Sequence, residues 1–451
     1  MRRFGTRPTR RDVLAAAGAA AMAAPRAAWS QSTASPAPRI DGARLRRRLE
    51  QLSTFGRPSG GTFASGVSRV AYSDADLAAR AWFLGEVRAA GFTPRLDPAG
   101  NVFVRHGEGS APPILFGSHI DSMPGGGNFD GDLGTLAALD VLQAVQASGR
   151  ATRRPLELVL WAHEESTAFG RGTACSRIVA GDLKAGDLDQ EWNGLRRAEA
   201  LRRIGGDPSR IEAAVRRRGD WHAYLELHIE QGGTLDRAAV PIGIVEGIVA
   251  IHRYDVVVDG LANHAGTTPM DGRQDALVAA SRLVLAVRQI AAGRPGRQVG
   301  TVGRLDVEPN SPNVVPGRVV LSVEFRDLAV EVLEALGGEV RRQGAAIAAE
   351  TGTAITFTLA STNPPAPATP GVQAAINRAA DRLGLPTRRL PSGAGHDAQM
   401  VAALCPMGMI FVPSVGGISH SPRELTAWDD CTRGAEVLLG AVLELDGRDS
   451  V

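Results

Sequence analysis

Cysteine is scarce: three residues in 451, at positions 175, 405 and 431. An odd number at unrelated spacings excludes a disulfide framework and a CxxC metal site. The most membrane-like stretch, Leu14 to Ala24, is too short to span a bilayer, which takes about 20 apolar residues. Aromatic residues make up only 5%, and the formal charge of +2 is concentrated at the start. Residues 1–30 hold six arginines and one aspartate, a net +5, which leaves −3 for the remainder. A slightly acidic chain with few aromatics is not built for nucleic acid or an anionic membrane surface. Lysine is nearly absent, Lys184 being the single one, and coding bias suffices to explain it.

What is present is ordinary for a soluble globular protein: 44% hydrophobic and 22% charged residues. The length suits two domains of about 100–200 residues each. Thr9 to Leu14, "TRRDVL", sets paired arginines before the small-residue run, and Ala28-Trp29-Ser30 offers a cleavage site. Residues 1–30 therefore read as a twin-arginine signal, the alternative being an Ala-rich N-terminal helix. The signal implies the twin-arginine export machinery, a periplasmic or secreted location and no membrane in the mature form. That route carries folded proteins and suits an enzyme loaded with metal beforehand.

Strand-like runs at 101–106, 113–119 and 156–165 surround an apolar-spaced helix at 133–149, ended by Gly149. Strand, helix, strand predicts a mixed, largely parallel α/β sheet with helices on both faces, and a ligand site at the carboxyl ends of its strands. From about 245 the pattern changes to βαββαβ, the order of an α+β ferredoxin-like domain. Pro364, Pro365, Pro367 and Pro370 mark the return. The expected organisation is a discontinuous catalytic domain, 40–244 and 362–451, interrupted by an insertion at 245–361.

Residues 117–134, "GSHIDSMPGGGNFDGDLG", crowd His119, Asp121 and Asp130 onto a glycine-rich loop. His119 and Asp121 alternate about Ile120 at a strand end and so point the same way. Asp121 suits a carboxylate that orients the imidazole from behind. "HEE" adds Glu164 and Glu165, with carboxylates on opposite sides if the strand continues; "LELHIEQG" adds His228 and "GGISHSPRE" adds His420. Each piece alone is commonplace, since strand-end histidines and solvated glutamate pairs abound. Together they point to a metal site, because adjacent buried acids are costly unless cations pair them.

The ordered set HxD, DG, EE, LHIEQG, NHAGTTPM, NxxPG…R, GAGHDA and GISHSP, spread over about residues 45–445, resembles the hydantoinase/carbamoylase branch of the M20 metallopeptidases. The resemblance implies a homodimeric hydrolase of non-peptide C–N bonds, with the insertion as lid and dimerisation domain. N-carbamoyl-L-amino acids or β-ureido acids are the implied substrates. Allantoate or ureidoglycolate hydrolysis and aminoacylase or peptidase activity stand as alternatives. A non-catalytic periplasmic binding protein is a remote one, since no ligand or base of the pattern is missing. Carried over by position, His119, Asp130 and His228 would hold one divalent cation, and Asp130, Glu165 and His420 a second. Zinc, manganese, cobalt and nickel all suit such nitrogen and oxygen donors. Such pairs lie about 3.5–4 Å apart and share a bridging hydroxide. Glu164 would be the general base, and His264, reaching a neighbouring subunit, would polarise the scissile carbonyl. Gln231, Asn313, Arg326, Gly393, Ala394, Gly395 and His396 would bind substrate, His396 by bracing its loop. The chain departs from the pattern where relatives tend to show EEG and an Arg-Phe pair: it reads "EESTAFG", with Ser166 and Ala168. That puts the loop's contribution to substrate shape in doubt.

Overall fold

The computed structural model describes residues 37–184 and 186–451. The twin-arginine segment lies outside them. Six strands open the larger sheet: β1 (Pro94–Leu96), β2 (Val102–His106), β3 (Ile114–His119), β4 (Leu156–Trp161), β5 (Ala223–Ile229) and β6 (Ile242–Ile248). The insertion carries β7 (Ala250–Asp259), β8 (Val299–Glu308), β9 (Arg318–Asp327) and β10 (Ala354–Asn363). The chain then returns with β11 (Ala366–Pro367), β12 (Thr387–Ser392) and β13 (Met407–Val412). The larger sheet runs β1-β2-β4-β3-β5-β13-β6, with β11 and β12 both paired to β6.

Its four central strands, β4, β3, β5 and β13, are mutually parallel, while the flanking pairs β1–β2, β2–β4 and β13–β6 are antiparallel. Strands β3, β4, β5 and β13 are buried along their whole length, as sheets covered on both faces require. Period two sorts their side chains. Ile114, Phe116, Leu158 and Leu227 face helices α1 (Gly42–Leu52), α2 (Asp74–Ala89) and α3 (Asp132–Ser148). Leu115, Val159, Trp161 and Phe411 face the other way, onto Val179, Ala398 and Val401. Helix α3 ends as expected, with Gly149 left-handed at φ 64°.

The insertion is a four-stranded antiparallel sheet in the order β8-β9-β7-β10. Tyr254, Val256, Leu321, Val323 and Phe325 pack one face onto α4 (Ala276–Ala292) and α5 (Val330–Thr351). β6 still belongs to the larger sheet up to Ile248, so the change of sheet falls at Val249 and not at 245. No proline or turn cluster marks that point, because Ile248, Val249 and Ile251 carry the strand-like pattern across it. After β11 come α6 (Pro370–Arg382) and α7 (Trp428–Asp446), which complete the first core through Ile376 and Leu438. No helix among the described residues is long and apolar enough to cross a membrane.

Candidate metal centre

The carboxyl ends of β4, β3, β5 and β13 open on one cleft of about 520 Å³, and the predicted ligands gather there. His119 closes β3, and its Nδ1 lies 3.0 Å from the Asp121 carbonyl. His228, near the end of β5, sets Nδ1 2.9 Å from the Ile229 carbonyl. A carbonyl only accepts, so both Nδ1 atoms carry the proton and both Nε2 lone pairs are turned inward.

Asp130 stands between two groups of donors. Its Oδ1 lies 3.1 Å from His228 Nε2 and 3.6 Å from His119 Nε2. Its Oδ2 lies 3.2 Å from His420 Nε2, which is 3.5 Å from Glu165 Oε1. His119, Asp130 and His228 thus form one convergent set and Asp130, Glu165 and His420 a second. His228 Nε2 is buried with no hydrogen-bond partner, which proteins seldom tolerate. Three inward imidazoles and two carboxylates, joined through one aspartate, fit two borderline divalent cations.

The strand carrying "HEE" ends earlier than expected, at Trp161. Ala162 donates its N–H to Asn101 Oδ1, and His163 turns to φ 54°. The N–H groups of Glu164 and Glu165 then both reach the Asp121 carboxylate, at 3.1 Å each. Both glutamates therefore line the cleft instead of pointing to opposite sides, and Glu164 Oε2 lies 3.9 Å from His119 Nε2. Asp121 grips His119 through its carbonyl; its carboxylate, 3.7 Å from Nδ1, positions the Glu164 turn.

One group escaped the sequence reading. Glu424 is buried and accepts the N–H groups of Phe129 and Asp130, at 3.0 and 3.1 Å, and the Ser419 hydroxyl at 2.7 Å. It fixes the backbone that carries the shared aspartate. Gly131 answers for the loop's glycines: φ is 69°, and a Cβ there would lie 2.4 Å from His119 Cε1.

Considered as side chains alone, these groups compete for protons. Burial opposes a charged His119, yet Asp130, Glu164 and Asp121 outweigh it and hold the imidazole well above its ordinary pKa. Burial raises Glu164 strongly, reinforced by Asp397 and Glu165. Burial and Asp130 lift Glu165 to about 7, and the Asp130 hydrogen bond lifts His420 to about 9. A cation must displace those protons. Its affinity should fall as pH drops through about 9, where His420 gains a proton, and again through about 7, where Glu165 does. Competition titration with a chromophoric chelator from about pH 6 to 9 measures this; a pH-independent affinity contradicts it.

One face of the insertion forms the opposite wall. Arg326 pairs across the strands with Ile251, and Glu324 with Arg253, so all four share the face turned away from α4 and α5. Arg326 donates to Glu324 Oε1 and to the Gly393 carbonyl, at 2.7 Å each. Gln231 reaches Asp130 Oδ2 at 2.8 Å. Ala394, Gly395 and His396 line the cleft, and His396 Nε2 is braced 2.8 Å from Ser392 Oγ. His264 and Asn313 are exposed, lie outside this chain's cleft, and sit together: the Ala265 N–H donates to the Asn313 carbonyl at 2.9 Å. His264 Nδ1 accepts from Gly266 and Thr267, which leaves the proton on Nε2.

A model of peptidase family M20/M25/M40 matches residues 115–444. The chain belongs to this M20 family. Among its M20 relatives, the N-carbamoyl-L-amino acid amidohydrolase of Geobacillus stearothermophilus is 39% identical over 90% of this chain and 99% of its own length. Allantoate amidohydrolase of Escherichia coli K12 is 34% identical over 87% of this chain and 95% of its own. The crystal structure of a hydantoinase/carbamoylase-family amidase from Burkholderia multivorans superposes with TM-score 0.84 at 36% identity, covering 92% of this chain and all of that one. The branch of M20 is thus the hydantoinase/carbamoylase one. Membership together with the two donor sets on Asp130 makes the chain a metal-dependent amidohydrolase.

Proposed function

We propose that this M20 protein cleaves the ureido C–N bond of N-carbamoyl-L-amino acids. The observation that carries the reading is Asp130, whose two oxygens face separate ligand sets while Glu164 lies 3.9 Å from His119. When bound, two divalent cations supply Lewis-acid polarisation of the carbonyl and lower the pKa of a water nucleophile. Glu164 takes the proton of the attacking water and hands it to the departing amino-acid nitrogen as the C–N bond breaks. Its burial keeps the carboxyl's pKa high, which suits a group that must both accept and return a proton. The carbamate product decomposes to carbon dioxide and ammonia.

Arg326 binds the α-carboxylate, and Gln231 with the 393–396 loop shapes the ureido pocket. His264 and Asn313 lie outside their own cleft and serve the cleft of a second copy, so the working unit is a homodimer through the insertion. His264 presents Nε2–H as the donor to the developing oxyanion. Residues 1–30 direct the protein through the twin-arginine pathway to the periplasm.

The test is a panel: ammonia release from N-carbamoyl-L-amino acids and from allantoate, with N-acyl amino acids and dipeptides alongside. Turnover of N-carbamoyl-L-amino acids above all others is the expected result. Preference for allantoate reassigns the substrate within the branch, and turnover of dipeptides alone removes the ureido reading.

A further inference from the structure

Four arginines line the cleft, in two pairs on two walls. On the insertion, Arg253 and Arg326 both pair with Glu324. On the opposite wall, Arg171 from the loop after Glu165 and Arg177 from the short helix Ala174–Val179 both pair with one atom, Asp182 Oδ2, at 2.7 and 2.9 Å. Two guanidinium groups on one carboxylate leave a positive charge over, and this happens on each wall. A substrate with a single carboxylate needs only one of them, the pair containing Arg326.

The second pair follows residues 164–170, the stretch that carries Ser166 and Ala168. Ala168 is buried in an apolar cluster, whereas Arg171 faces the cleft. Arg177 is held close, its side chain 13% exposed and its Nε donating to the Gly172 carbonyl at 3.2 Å. Burial and the neighbouring charge of Arg171 both depress its pKa, a strain that a bound anion would relieve. A recess of about 600 Å³ continues past Arg171 towards Lys184, sharing Ser361 and Asn363 with the cleft. The space beside the second pair is therefore large enough for a side chain ending in an anion.

We propose that Arg171 and Arg177 form a second carboxylate subsite, so that the favoured substrate is a ureido dicarboxylate: an N-carbamoyl amino acid with an acidic side chain. This rests on the ureido reading above. N-carbamoyl-L-glutamate and its near-isostere N-carbamoyl-L-glutamine test it, because they differ in little but the charge. The ratio of their kcat/KM values should favour glutamate about tenfold or more in the parent protein. In Arg171→Gln that ratio should fall to about one, chiefly through the KM of the acid, and Arg171→Lys should restore part of it. A partly misfolded variant scales both rates and cancels in the ratio. A parent ratio of one or less, or a ratio unchanged in Arg171→Gln, overturns the subsite while leaving ureido hydrolysis standing. If neither compound is turned over while dipeptides or N-acyl amino acids are, the ureido reading itself falls and takes the subsite with it.

Discussion

Glu164→Gln should lower kcat by about 10²–10⁴-fold, the range that a positioned general acid–base commonly supplies. The amide is nearly isosteric, so the 164–165 turn on the Asp121 carboxylate, made by backbone N–H groups, should persist. Neither donor set contains Glu164. The variant should therefore retain two equivalents of metal and bind product with near-parent affinity. Loss of turnover with metal and binding intact assigns the proton transfers to Glu164. An unchanged rate removes it from the mechanism, and a matching loss of metal makes it a ligand instead.

Asp130→Asn should have the other large effect, through a different route. Both donor sets include Asp130, and three histidines around it hold its carboxyl far below the usual range against the opposing cost of burial. An amide keeps the shape and loses the charge. Glu165 is then the one charged ligand left for two cations held otherwise by His119, His228 and His420, and both should be lost together. Activity should drop by about 10⁴-fold or more, since the nucleophile loses its acidification. His420→Ala, by contrast, touches only one set and should leave about one equivalent bound. Elemental analysis of the three proteins distinguishes these cases. Equal metal content in Asp130→Asn and the parent contradicts the shared-ligand geometry.

Much of this centre was legible in the sequence because each ligand sits at a punctuated place. His119 and His228 end apolar strands, Asp130 lies in a DG turn, and all converge because parallel strands deliver their carboxyl ends to one edge. The βαββαβ order of the insertion was readable for the same reason: its helical and strand periods are clean. What was not legible depends on distant chain pairing. Glu424 sits on an irregular loop with no periodicity, and its partners Phe129 and Asp130 are nearly 300 residues away. Asp132 lies in the same glycine-rich stretch as Asp130 but belongs to neither donor set. It is instead buried against Arg69, 2.5 Å away, an ion pair that anchors the start of α3. The end of β4 was missed because Asn101 and Asp121 capture N–H groups that would otherwise extend the ladder.

The position of His264 and Asn313 shows the same limit at a larger scale. Their motifs match the family pattern, yet both are exposed and lie outside this chain's cleft, which the spacing of the residues did not foretell. Arg326 was singled out by the family resemblance alone; the strand register then shows which face it shares with Glu324, as period two along β9 requires.

The most direct measurement is the anomalous diffraction of metal-loaded, active crystals above and below the cation's absorption edge. Two peaks should appear, one among His119, Asp130 and His228 and one among Asp130, Glu165 and His420, in protein whose activity is lost on chelation and regained with manganese, cobalt or zinc. Protein that works at full rate in excess chelator, or peaks that avoid Asp130, would mean that this aspartate does not join a pair of cations and that hydrolysis proceeds by other means.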